Sequence, residues 1–217
     1  KNDNAAEMCA SIMPEGDEFF RRVSLYDDYL AEVVNMPGYR AGDTLRLILP
    51  FMMAHGLSQE RMASFSSRGI LVVPDAGEVL HEIAAEGPAY IISTSYCQYV
   101  HAVCSAIGFP RAQTFCTRVN LSDYAIPDGE VAQVKRLAAR VLARDPIEIP
   151  ALASGPEDLS SEDQATVADL DEIFWDLMPE LSVYSIVEEV SPVGGPEKAT
   201  SIERAARKED VAMNQVV

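Results

Sequence analysis

Three consecutive hydroxyls, Ser93, Thr94 and Ser95, close the apolar run AYII at 89–92 and stand at the start of an amphipathic helical pattern. Where an apolar strand ends against a helix N-terminus, unpaired backbone N–H groups and the positive end of the helix dipole make an anion site suited to phosphate. Ser95 with Gln98 also fits a capping box, which makes Ser95 the expected N-cap and leaves Ser93 for either a structural or an anion-binding role. Lys198 is the second candidate. It falls in the first turn of a helix opening at Pro196, where the dipole disfavours a cation. Either it is a tolerated surface lysine, or it reaches toward an anion in front of a sheet. GGPEK is not a P-loop, because no GK[ST] follows the glycines.

Other chemistry-bearing residues are better explained by structure. Asp75 and Glu78 form a D-x-x-E capping pattern, so Asp75 reads as a cap rather than a nucleophile. Cys97, His101 and Cys104 share a helix stripe, yet a rise of ~1.5 Å per residue separates the Cα atoms of 97 and 104 by ~10 Å. That is too far for two thiolates on one zinc, and no further Cys or His lies at ligand spacing, so no metal ligand is assigned. His55 and His81 have no serine or cysteine partner that spacing can identify, which leaves a hydrolase triad unsupported. The cysteines at 9, 97, 104 and 116 contain no CxxC pair and read as reduced core residues of an intracellular protein.

The elements that must position these groups fall into blocks. Residues 4–68 read as helical, with Asn4 and Ser58 as expected caps and Pro50 as an expected kink. ILVV at 70–73, AYII at 89–92 and TFCTRV at 114–119 read as strands, separated by helical patterns over 74–87 and 96–107. Amphipathic helices are expected over 129–144 and 161–178, joined by a Pro-rich connector. SVYSIVEEVS at 182–191 and the final NQVV read as strands flanking the 196–209 helix. Alternating strand and helix predicts an α/β fold with a parallel sheet. The expected domains are a helical lobe at 1–68, an α/β core at 69–128, a helical insertion at 129–190 and a core segment at 191–217.

Net charge of −17, from 17 basic against 34 acidic residues, argues against nucleic acid and anionic membranes as partners. The apolar stretch TLRLILPFMMAHG at 44–56 carries Arg46 and Pro50 and falls short of the ~20 residues that cross a bilayer. The N-terminus has no signal-peptide core. A cytoplasmic location is expected.

PDAGEVLHEIAAEGPAYIISTSYCQYV at 74–100 resembles the haloacid dehalogenase (HAD) superfamily, most closely its phosphoserine-phosphatase-like branch. In that family a strand ends in a phosphate-binding Ser or Thr, matched here by Ser93, and a lysine opens a later helix, matched by Lys198 in GGPEKATSIERAARKE. The resemblance implies a Rossmannoid parallel-sheet core with an inserted helical cap, and a magnesium-dependent phosphohydrolase acting on a small phosphorylated metabolite. Ser93 and Thr94 would hold phosphate, Lys198 would act as the catalytic cation, and Arg40 and Arg46 of the cap would meet the anionic substrate. The DxD motif that supplies the nucleophile does not occur in residues 1–217, nor does the acidic magnesium-binding pair. By the family layout they flank the chain on either side. The alternatives are a non-catalytic binding or assembly module of the same type, or an unrelated α/β protein with a phosphate or nucleotide ligand.

Overall fold

The computed structural model describes residues 3–217. In chain order the elements are α1 (Asn4–Ile12), α2 (Gly16–Asp28), α3 (Thr44–Leu47), α4 (Leu49–Ala54), α5 (Gln59–Arg68), α6 (Ala76–Glu86), β1 (Ile91–Tyr96), α7 (Cys97–Ile107), β2 (Thr114–Thr117), α8 (Asp128–Leu142), α9 (Ser161–Asp171), α10 (Ser185–Glu189) and α11 (Gly195–Lys208). Helices account for 64% of the chain, and the sheet holds two parallel strands, β1 and β2.

This overturns the expected HAD-like Rossmannoid sheet core with an inserted cap, and each lost strand has a physical reason. ILVV at 70–73 has no sheet partner among the described residues, and Leu71 and Val73 are 67% and 73% exposed. The segment at 182–191 buries Val183, Ile186, Val187 and Val190, a spacing of three, four and seven that belongs to a helical face, and it folds as a 3-10 turn running into α10. NQVV enters a 3-10 turn over Met213–Gln215, in which the Gln215 side chain accepts from the Ala212 N–H.

The helices at both ends of the sequence share one apolar core. Phe19, Phe51 and Phe174 meet edge-on or tilted with centroids 4.9 and 5.8 Å apart, and Tyr26 stacks on Phe174 at 5.6 Å. The Tyr26 hydroxyl donates to Asp171 and accepts from Trp175 Nε1 at 2.7 Å, so the one polar atom of a buried ring is satisfied. Arg140 and Arg144, one turn apart on α8, both hold Asp169 of α9.

Caps set the helix ends. Asp3, rather than the expected Asn4, caps α1 by accepting from the Ala5 and Ala6 N–H groups at 3.0 and 3.2 Å. Ser58 caps α5 as its sequence predicts. Pro50 begins α4 instead of kinking a longer helix, since the break falls at Ile48. A second, smaller cluster of Val100, Cys104, Phe109 and Cys116 lies between α7 and β2.

Candidate functional site

The strand that carries the three hydroxyls is irregular where they sit. Ile92 pairs with Phe115 and Tyr96 with Thr117, so four steps on β1 match two on β2. The surplus falls on Ser93, Thr94 and Ser95. A bulge of this kind breaks the ladder and re-aims side chains, a device common beside functional sites. The Ser93 hydroxyl oxygen accepts from the Ser95 N–H at 3.2 Å, which leaves its O–H proton for another acceptor. Ser95 is not the helix cap that its spacing to Gln98 suggested. The strand runs on to Tyr96, which takes the N-cap position, and Gln98 donates instead to the Val119 carbonyl at 2.8 Å. Asp75 likewise makes no side-chain cap bond to α6 and adopts a left-handed backbone.

Thr117 is the residue that sequence reasoning missed. Fully buried at the end of β2, its hydroxyl donates to the Thr94 carbonyl and accepts from the Val193 N–H at 3.0 Å. One side chain thereby ties the β1 bulge to the segment that leads into α11.

Two glycines bring a third segment into the same place. Gly42 has φ +96°, and a Cβ there would lie 2.9 Å from Thr94 Cγ2, so both the backbone and the close approach require glycine. At Gly194, just before α11, a Cβ would lie 2.1 Å from the Ala41 carbonyl oxygen. The 41–42 loop is therefore packed against both the end of β1 and the N-terminus of α11. Asp27 holds that loop from beneath by accepting from the Tyr39 hydroxyl at 2.7 Å and the Gly42 and Thr44 N–H groups at 2.9 and 3.0 Å. Burial pushes the Asp27 carboxyl above its ordinary value, aided by the Asp43 charge, although its three donors pull the other way.

At the other end of α11, Glu209 accepts from the Tyr90 hydroxyl, so α11 runs antiparallel to β1 and brings its N-terminus to the strand's carboxyl end. Lys198 is exposed in that first turn. Arg40 pairs with Glu197 of the same turn. Arg46, by contrast, is committed to the Val187 carbonyl at 3.1 Å and Asp43 at 2.7 Å, with its guanidinium over the Tyr39 ring. The structure thus brings Arg40 to the site and keeps Arg46 out of it. A cavity of about 330 Å³ opens between β1 and the helical body, lined in part by Asp27, Gly42, Thr44, Thr94 and Ser95.

The carboxylates around this cavity do not suit magnesium, which requires several oxygen ligands in octahedral array. Asp3 caps α1, Asp27 has three donors, and Glu197 faces Arg40.

The histidines bind locally. His55 Nδ1 lies 2.9 Å from the Phe51 carbonyl and His81 Nε2 lies 3.3 Å from that of Gly108, so neither activates a nucleophile. The expectation of four reduced cysteines is also corrected. Parallel pairing sets Tyr96 opposite Thr117 and leaves Cys97 and Cys116 with Cα atoms 5.1 Å apart, joined as a disulfide. Cys9 and Cys104 remain free and buried, and burial, with the Asp3 charge, pushes the Cys9 thiol up to about 12. Loss of hydration, with Arg111 and Arg118 nearby, lowers the His101 pKa and favours its neutral ring.

No family model matches the chain, and no curated protein matches it. Among solved structures it is similar to gene product AF1437 from Archaeoglobus fulgidus, with 29% identity and a TM-score of 0.77 over 97% of this chain. The chain spans 60% of that protein's length. Among the described residues, no helix is long and apolar enough to cross a membrane.

Proposed function

We propose that the chain carries the phosphate-holding side of a phosphohydrolase site that acts on a small phosphorylated metabolite by way of an aspartyl-phosphate. The aspartate nucleophile that the family resemblance implies lies outside residues 1–217. One observation carries the reading: the bulged end of β1, the Gly42 loop and the N-terminus of α11 converge, held together by Thr117 and by two glycines that admit no side chain.

Phosphoryl transfer depends mainly on positioning and on neutralising charge. Ser93 suits the first task, because accepting the Ser95 N–H fixes its oxygen and leaves its proton to donate to a phosphoryl oxygen. Thr94 lines the adjoining cavity and supplies a second hydroxyl. The first turn of α11 offers unpaired N–H groups, and Lys198 within it offers a positive charge for the phosphoryl group. Arg40 adds a second cation at the same helix end. No step is derived through magnesium, since the carboxylates at hand are committed elsewhere. A cytoplasmic location belongs to the same proposal, because small phosphorylated metabolites are made and kept inside cells.

The test is phosphate release from a generic aryl phosphate by the full-length gene product. Ser93→Ala and Lys198→Ala are each expected to lower kcat/KM roughly tenfold or more, the scale of losing one preorganised charge-stabilising group. Full activity in both variants would overturn the assignment. Phosphate binding without turnover in the unaltered protein would favour a non-catalytic binding module instead.

A further inference from the structure

Cys97 and His101 stand one turn apart on α7, four residues from each other, and so project from the same helix face. Cys116 reaches that face from β2. One donor atom from each of the three lies within 4.8 Å of the other two. His101 Nε2 is 3.8 Å from Cys116 Sγ. The phosphate reading uses none of these groups, and the inference below is independent of it.

We infer that Cys97, His101 and Cys116 form a zinc site when the disulfide is reduced, and that oxidation closes it. Tetrahedral zinc, with bonds of ~2.3 Å to sulfur and ~2.0–2.1 Å to nitrogen, places its donors within about 4 Å of one another. Opening the S–S bond lets the two sulfurs part to that separation while His101 already stands alongside. Two thiolates and an imidazole select zinc over magnesium or calcium, which take oxygen ligands. Three protein ligands also leave a fourth position for water or an outside group, the pattern of an open zinc site. Here that position adjoins a surface pocket of about 440 Å³, bordered by Arg118, Asn120, Asp123, Tyr124 and Glu189.

The redox step balances with a dithiol as reductant. The reductant gives two electrons and two protons to the Cys97–Cys116 bond, two thiols form, and the reductant becomes a disulfide. Zinc then displaces both thiol protons to solvent and is held by two thiolates and neutral His101. In the oxidised protein the same two sulfurs are spent on each other, so one bond both stores the oxidising equivalents and removes two ligands.

Cobalt(II), a coloured stand-in for zinc, tests this in the full-length protein. The dithiol-reduced protein is expected to bind one cobalt per chain, with the intense visible bands of a tetrahedral ion and a thiolate-to-cobalt charge-transfer band. Zinc should displace the cobalt and bleach both signals. The oxidised protein should show neither. Cys116→Ser and His101→Ala should each weaken binding at least tenfold, whereas Cys104→Ser should leave it unchanged. A reduced protein lacking the charge-transfer band overturns the inference, as does equal binding in the two redox states. The redox comparison uses the unaltered chain, so the outcome stands even if a variant fails to fold.

Discussion

At the scale of single residues, the hydroxyl of Thr117 has the most to lose. Thr117→Val keeps the shape of the side chain and removes both bonds, leaving the Thr94 carbonyl without its donor and the Val193 N–H without its acceptor. A buried polar group stripped of its partner costs roughly 1–3 kcal/mol. The variant is expected to lower the urea midpoint by a corresponding amount with an unchanged slope, and Thr117→Ser to recover most of it. Equal midpoints for Thr117→Val and the unaltered protein would show that the three segments are not joined through this hydroxyl. Sequence reading found Ser93, Thr94 and Lys198 because a strand end and a helix start are local patterns. It did not find Thr117, Gly42 or Gly194, whose partners are separated from them by 23 to 153 positions. Ser95 and Asp75 show the converse. Each has the spacing of a cap, and in each case the backbone turns elsewhere.

At the scale of elements, helices were legible and strands were not. The patterns over 96–107, 129–144 and 161–178 became α7, α8 and α9 with shifts of a few residues. A helix is recognised from its own apolar stripe, whereas a short apolar run becomes a strand only if a neighbour pairs with it. That is why TFCT found β1 while ILVV at 70–73 found nothing. How the helices grip one another could not be read locally, and the α8–α9 contact shows why. Asp169 accepts from Arg140 at 2.5 Å and from Arg144 at 3.1 Å, and its side chain is 12% exposed. Burial pushes its carboxyl up, but the bonds from Arg144 and Arg140 outweigh that and hold it below the ordinary value. A carboxyl lowered by folding stabilises the fold fully above its unfolded value of roughly 3.9, and that contribution is lost as pH falls through the folded value. Denaturation of the unaltered protein and of Asp169→Asn should therefore differ at neutral pH, and the gap should shrink below about pH 4. A gap independent of pH would rule out the charged clamp as its cause.

At the scale of the whole molecule, the two ends of the sequence fold together and the middle is left thinly covered. Helices from 4–68 and 128–190 share the large aromatic core, while the sheet and its flanking helices rest on four buried residues, Val100, Cys104, Phe109 and Cys116. α6 has no buried residue, and its apolar positions Val79 and Ile83 are 50% and 52% exposed. Local stability follows the number of buried apolar contacts that must break for a segment to open. The amides of α6 are therefore expected to exchange with solvent deuterium through small local openings, well before those of α2 and α8, which exchange only when the main core opens. Among the described residues, the covalent tie within the thin region is the Cys97–Cys116 bond, which joins α7 to β2. Reduction without metal should therefore speed exchange in α7 and β2 while leaving α2 and α8 unchanged, and zinc should restore the slower rates. Uniform exchange across both regions, or acceleration of α2 and α8 on reduction, would show that the chain opens as one cooperative unit and that the disulfide acts on the whole of it.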